Sequence, residues 1–260
     1  MVRGWSDAAF GSRIYLAGDV AILAGDRLVR QDEFPARQGR IVFAMLAGEH
    51  PDPVSQEAIG EELWGETPPR ATGTALRALV SKLRSTLDRA GLAGALSGGE
   101  GAYRLELPAG TWVDLAAAVE GVHAAEAALR GGDLRTAIAM GRIAATIAER
   151  PLLVGADGPW VTGRRLQLQD VRLRALDCLA ETWALHGDAA QAVRDARAAI
   201  AVDAFHEPSH RLLIRSLALV GDRAGALLAY DSLRSTLADE LGADPSPETE
   251  AVFLEVVREA

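Results

Sequence analysis

Between Arg70 and Leu87 the chain reads RATGTALRALVSKLRSTL. At 100° per residue, Leu76, Leu79, Val80, Leu83 and Leu87 fall in one stripe about 100° wide, which predicts an amphipathic helix over 72–87. The opposite face is small and polar: Thr74, Ala78, Ser81 and Ser85. Arg77 and Arg84 border that face on one side and Lys82 on the other. A helix entering a DNA major groove needs an apolar back to anchor it, small side chains for close approach, and cations for bases and phosphates. An ordinary surface helix with solvated charges shows the same pattern, so the neighbouring elements decide.

Upstream, Arg13 to Val29 predicts two short strands, IYLAGDVAIL and RLV, with a turn at Ala24-Gly25-Asp26. Ile41, Val42, Met45 and Leu46 predict a first helix over 37–47, which Gly48 and Pro51 end. VSQEAIGEELW predicts a second, with Ser55 as N-cap, Ala58, Ile59 and Leu63 on its buried side, and Gly65, Pro68 and Pro69 after it. Downstream, LAGALSGGEGAYRLELP predicts a hairpin: a strand near 95–97, a turn at Gly98-Gly99-Glu100-Gly101, and an alternating strand over 103–107. Strands, three helices and a hairpin make a winged helix-turn-helix, in which the third helix enters the groove and the hairpin lies over the backbone. Arg104 on the last strand is a candidate phosphate or minor-groove contact, against a solvated strand residue. The glycine cluster lacks the Lys-Ser/Thr of a nucleotide loop and opens no helix, so a wing turn is the better reading.

After Val113 the pattern is helical throughout, with helices expected near 114–130, 133–149, 160–186, 188–202, 206–220, 222–240 and 247–258. Three Gly-Asp pairs punctuate it: Gly132-Asp133, Gly187-Asp188 and Gly221-Asp222. Five residues after each glycine stands an alanine, Ala137, Ala192 or Ala226. The 34 residues from Gly187 to Gly221 are the tetratricopeptide period. Each glycine is expected to end a helix in the left-handed conformation, each aspartate to cap the next, and each alanine to let paired helices approach. PLLVGADGPWVTG reads as an insertion, a loop around Trp160. Helical repeats bind peptides or partner domains on their concave surfaces.

Charge sharpens the picture. The net charge is −9, but residues 70–89 hold five cations (Arg70, Arg77, Lys82, Arg84, Arg89) and one anion, Asp88. Residues 1–110 carry a net −2 and the remaining 150 a net −7. An acidic chain with one basic island fits a DNA reader joined to an acidic partner module, with weak non-specific affinity for DNA. Glu61, Glu62 and Glu66 are expected to make the end of the second helix unfriendly to phosphate. Lys82 is the sole lysine, so the arginine bias is not itself evidence for nucleic acid. Cys178 is the single cysteine, which excludes a disulfide framework. No apolar run reaches about 18 residues and no signal-peptide pattern opens the chain, so a cytoplasmic protein with no membrane partner is expected.

Chemistry is sparse. His206 and His210 stand four apart in H-E-P-S-H, a spacing that can bind metal. Pro208 suits a first helical turn better than a metalloprotease helix, and no third ligand follows. No nucleophile elbow, dinucleotide fingerprint or convergent carboxylate pair is evident. Neither catalytic residues, nor a metal, nor a cofactor are expected.

PARQGRIVFAMLA, ELWGETPP, TALRALVSKLRSTL, GAYRLELP and WVDL resemble the DNA-binding domain of the Streptomyces antibiotic regulatory protein family. ALLAYDSLRSTLADELGADPSPE resembles the bacterial transcriptional activator domain that follows it there. The resemblance runs from about Ile14 to Val257. It implies a pathway-specific activator of secondary-metabolite gene clusters in actinobacteria, which binds direct repeats near a promoter and recruits RNA polymerase through its sigma subunit. It also implies cooperative side-by-side binding or a homodimer on double-stranded DNA. The likeness is to small members, without an ATPase or sensor extension. Leu79, Lys82 and Arg77 depart from the family's usual residues; the departures bear on which operator is read, not on the mode of binding.

The expected architecture is mainly α: a leader over 1–12, a winged helix-turn-helix with small β elements over 13–110, and an all-α tetratricopeptide-like activator domain over 111–260. Thr74, Arg77, Ser81 and Lys82 are expected to read bases, and Arg70, Arg84 and Arg104 to hold phosphates. The alternative is a protein-interaction or ligand-sensing adaptor with a degenerate winged helix, motivated by the net −2 of its first domain.

Overall fold

Strands β1 (Arg13–Tyr15), β2 (Ala21–Ala24) and β3 (Arg27–Val29) form an antiparallel meander. In this computed structural model, residues 11–99 and 101–258 are described; most of the expected leader, residues 1–10, lies outside them. IYLAGDVAIL is therefore two strands rather than one. Gly18, at φ +88°, and Asp19 lie in the turn between them, a left-handed position that glycine adopts without strain. A short 3-10 turn, Gln31–Glu33, leads to α1 (Ala36–Gly48). Then follow β4 (Val54–Ser55), α2 (Gln56–Trp64), α3 (Thr72–Arg89), and a hairpin of β5 (Leu96–Gly99) and β6 (Ala102–Leu105). Strand β7 (Trp112–Val113), which the sequence pattern does not mark, pairs parallel with β1. The sheets are ordered β3-β2-β1-β7 and β4-β6-β5.

The remaining elements are helices α4 (Asp114–Arg130), α5 (Leu134–Ala148), α6 (Pro159–His186), α7 (Ala189–Val202), α8 (Glu207–Leu219), α9 (Arg223–Leu241) and α10 (Pro247–Arg258). The chain packs as two units, residues 1–117 with 150–168, and residues 118–149 with 169–260.

In the first unit, Ile14, Leu16, Ile22, Phe43, Leu46, Ile59, Leu76 and Leu83 are almost fully buried. The segment 151–163, expected as a loop around Trp160, contributes side chains to this core. Leu152, Leu153 and Ala156 are buried, Leu152 bridges to Ala17, and Gly18 N–H donates to the Pro151 carbonyl at 2.8 Å. Trp160 lies in the first turn of α6, not in a loop, because Glu62 caps that helix: its Oε2 accepts from Trp160 N–H at 2.7 Å. Gly158 makes the approach possible, since a Cβ there would meet the Glu62 carboxylate at 2.2 to 2.4 Å. Asp114, fully buried, plays a similar part at the end of β1. Its Oδ2 accepts from Leu16 N–H at 2.8 Å and Ala17 N–H at 2.9 Å. Burial pushes its pKa up to about 6, against the lowering effect of those backbone donors.

In the second unit the three Gly-Asp pairs behave alike. Gly132, Gly187 and Gly221 sit at φ +76°, +93° and +79°. Asp133, Asp188 and Asp222 accept from the N–H groups of Thr136, Gln191 and Gly225 at 2.8 to 3.1 Å. Ala137, Ala192 and Ala226 are 0 % exposed, which is what close helix approach requires. The core of the last repeat gathers Val193, Ile214, Leu217, Tyr230 and Val256, with Phe253 of α10 stacked on Tyr230 at 4.1 Å. The expected fold class therefore holds: mainly helical, a winged helix with small β elements, then tetratricopeptide-like repeats.

Candidate nucleic-acid interface

Helix α3 is fixed by its apolar side. Leu76, Val80, Leu83 and Leu87 are at most 1 % exposed, while Leu79 is only half-buried at the stripe's edge. Thr86 is a polar member of that side, its hydroxyl donating to the Lys82 and Glu33 carbonyls. Thr72 Oγ1 donates to the Pro69 carbonyl at 2.9 Å, tying the first turn to the loop before it.

The other side is open. Thr74, Arg77, Ala78, Ser81, Lys82 and Ser85 are all exposed on one helix. Arg77 Nη2 donates to Thr74 Oγ1 at 3.3 Å, a long contact that holds the guanidinium over the first turn. Arg70 is exposed in the loop between α2 and α3. Arg104 projects from β6 between buried Tyr103 and Leu105, opposite Ser97 in register. Gly98 lies across from Tyr103, whose ring occupies the space within 2.3 Å of where a Cβ would stand. Glu100, expected in the turn, lies outside the described residues.

Two cations of the basic island are tied down. Arg84 Nε donates to the Leu96 carbonyl at 3.0 Å, linking the helix to the first strand of the wing. Arg89 Nη2 donates to the Glu33 carbonyl at 3.0 Å. The acidic end of α2 also differs from expectation. Glu61 and Glu66 are exposed, but Glu62 is 7 % exposed and faces the start of α6, so it is a capping group rather than a surface anion. Ala58 and Leu63 are half-buried, and Ile59 with Glu62 forms the buried side. No local pattern marks Glu62, because its partner lies 98 residues away.

The histidine pair is occupied structurally. His206 Nδ1 lies 2.9 Å from Ser209 Oγ and 3.3 Å from Asp177 Oδ2, and Ser209 donates to Asp177 Oδ1 at 2.6 Å. His210 Nε2 is 3.0 Å from the Ala204 carbonyl, and burial pushes its pKa down. Glu207 accepts from Ser246 N–H and Oγ. Among the described residues no group of three or more histidine, cysteine or acidic side chains is placed to hold a metal ion. None of the described helices is long and apolar enough to cross a membrane.

Residues 113–257 match the family described as bacterial transcriptional activator domain. The chain is 34 % identical over 211 residues to regulatory protein AfsR of Streptomyces coelicolor, covering 81 % of this chain and 21 % of AfsR. It is 29 % identical over 221 residues to regulatory protein DnrI of Streptomyces peucetius, covering 81 % and 80 %. A solved structure of Mycobacterium tuberculosis EmbR, in complex with a low affinity phosphopeptide, superposes with a TM-score of 0.82 at 28 % identity. That match covers 96 % of this chain and 65 % of the EmbR chain. The chain thus spans about a fifth of the length of AfsR.

Proposed function

This chain belongs to the bacterial transcriptional activator domain family, among regulators of the Streptomyces antibiotic regulatory protein type, and we propose that it is a sequence-specific DNA-binding activator. In this reading residues 13–110 are the DNA-binding domain and 111–260 the activator domain, of which 111–117 and 150–168 pack with the first unit. The observation that carries this reading is the exposed face of α3, where Thr74, Arg77, Ser81 and Lys82 stand over a fully buried apolar back. Those four read bases, Lys82 and Arg77 as donors to purine edges and Thr74 and Ser81 as small adaptable partners. Arg70 and Arg104 hold phosphates from the loop and the wing. Arg84 contributes charge while its Nε positions the wing. The chain binds direct-repeat sites side by side and recruits RNA polymerase through its sigma subunit, at promoters of a secondary-metabolite cluster.

A mobility shift over a salt series tests this, on DNA upstream of the chain's own and neighbouring genes. The expected result is a band at nanomolar protein, with a slope set by a few phosphates. Lys82→Ala is expected to narrow the gap between operator and random DNA by roughly 1–3 kcal/mol. Equal losses on both sequences would remove Lys82 from base reading. No shift on any fragment at low salt would favour the adaptor reading, which the net −2 of residues 1–110 motivates.

A further inference from the structure

The first unit carries a second group of cations, away from α3 in sequence. Arg37 and Arg40 stand one turn apart near the start of α1 and line a cleft of about 220 Å³. The 151–156 segment also lines it, with Leu153 and Val154, as does Asp19. An adjoining cleft of about 390 Å³ shares Asp19, Gln31 and Arg40 and adds Arg30 and Leu28. Among the described residues, neither the Arg37 nor the Arg40 side chain makes a hydrogen bond or ion pair. Arg164, Arg172 and Arg174, by contrast, each meet a carboxylate.

Apolar side chains stand open beside these charges. Val154 is 81 % exposed and Leu28 43 %. The described residues other than glycine with positive φ, Ala36 at +48° and Leu153 at +44°, lie beside the cleft and in its wall. Backbone held in that region costs free energy and persists at ligand clamps.

We propose that this cleft docks an acidic segment of a partner protein that carries an apolar side chain. Its carboxylates meet Arg37 and Arg40, and its apolar side chain covers Val154 and Leu153. A guanidinium without a partner is the natural seat for a carboxylate. An apolar wall adds nothing for a phosphodiester but can cover an apolar side chain, which favours a peptide over a nucleic-acid backbone. The inference rests on the activator reading, in which a protein partner is engaged while α3 holds DNA.

The test uses the full chain and a fluorescein-labelled synthetic peptide of about a dozen residues mixing Asp and Glu with Leu and Phe. Micromolar binding is expected, weakened about ten-fold or more in an Arg37→Glu/Arg40→Glu double variant that still shifts operator DNA. A Lys-for-acid version of the peptide is expected not to bind. Val154→Asp, at a site too exposed to disturb the fold, is expected to weaken binding as well. Peptide affinity unchanged in both variants overturns the proposal, as does displacement of the peptide by duplex DNA or pyrophosphate. Failure of the unmodified chain to shift DNA counts against the activator reading alone; the peptide titration still decides the cleft.

Discussion

Carboxylates satisfy backbone N–H groups in both units, but over different distances along the chain. In the second unit Asp133, Asp188 and Asp222 each reach a donor three residues ahead, at an exposed helix start. In the first unit Glu62 and Asp114 reach donors 97 or 98 residues away, from buried positions. The bond is the same; its surroundings are not. An exposed cap competes with water and can be replaced by it. A buried cap has no substitute, and its charge is desolvated besides. The three repeat caps are therefore interchangeable local stops, and Glu62 and Asp114 are singular ties.

The strongest way to break that contrast is at Asp114. Asp114→Ala leaves the Leu16 and Ala17 N–H groups buried without an acceptor, and a loss of about 3 kcal/mol is expected in denaturant unfolding. The pH dependence has a definite sign. Asp114 has a pKa of about 6 in the folded chain against an ordinary 3.8, so the folded state holds the proton more tightly. Its buried charge costs stability above pH 6, and the cost disappears as pH falls toward 3.8, worth about 3 kcal/mol at most. Asp114→Asn keeps an acceptor and removes the titration. The unmodified chain is expected to gain on the Asn variant as pH drops from about 7.5 to about 4. A flat difference would mean that the carboxylate is better solvated than its burial implies.

Next comes Gly158→Ala. The added methyl lands on the Glu62 carboxylate, so either the cap on Trp160 N–H or the start of α6 must move. A loss of about 2 kcal/mol is expected, and Glu62→Ala is expected to cancel most of it in a double-mutant cycle. Additive losses would show that the crowding is relieved elsewhere. Asp188→Ala, the local counterpart, is expected to cost only about 1 kcal/mol, and Asp188→Ser to restore most of that.

The same contrast explains what can be read from the chain. The repeats are legible because glycine, aspartate and alanine sit at fixed short offsets, and each carries its own reason locally. Helix α3 is legible because its stripe of leucines needs no partner to be recognised. Glu62 reads as a surface anion because it stands among Glu61 and Glu66 in an acidic helix, and nothing nearby distinguishes it. Residues 151–156 look like loop because glycine and proline flank them; Leu152 bridges to Ala17, 135 residues earlier, which no local pattern announces. Gly18-Asp19 is absorbed into one expected strand because apolar residues continue on both sides. The residues proposed to read bases can be named as one helix face, while the tying of Arg84 to Leu96 requires the wing's position.

Arg84 lies between the two regimes, an exposed residue with a part-buried bond to an acceptor twelve residues away, and its predicted effect is as small as that of Asp188. Arg84→Ala removes both a cation and the bond to the Leu96 carbonyl; Arg84→Lys removes only the planar Nε donor. If its charge is what DNA senses, the lysine variant restores affinity, and only the alanine variant lowers the salt slope, by roughly 0.9 for each phosphate no longer neutralised. If its hold on the wing matters more, both variants weaken binding by about 1 kcal/mol, and the lysine variant keeps the full slope. The Nε–H is taken by the Leu96 carbonyl while the Nη groups remain for a phosphate, so one side chain can serve both ends. Operator titrations at several salt concentrations separate the two, since affinity reports the wing and slope reports the phosphate. Full rescue by lysine would place Arg84 with the replaceable surface groups and leave the wing held by β-pairing alone.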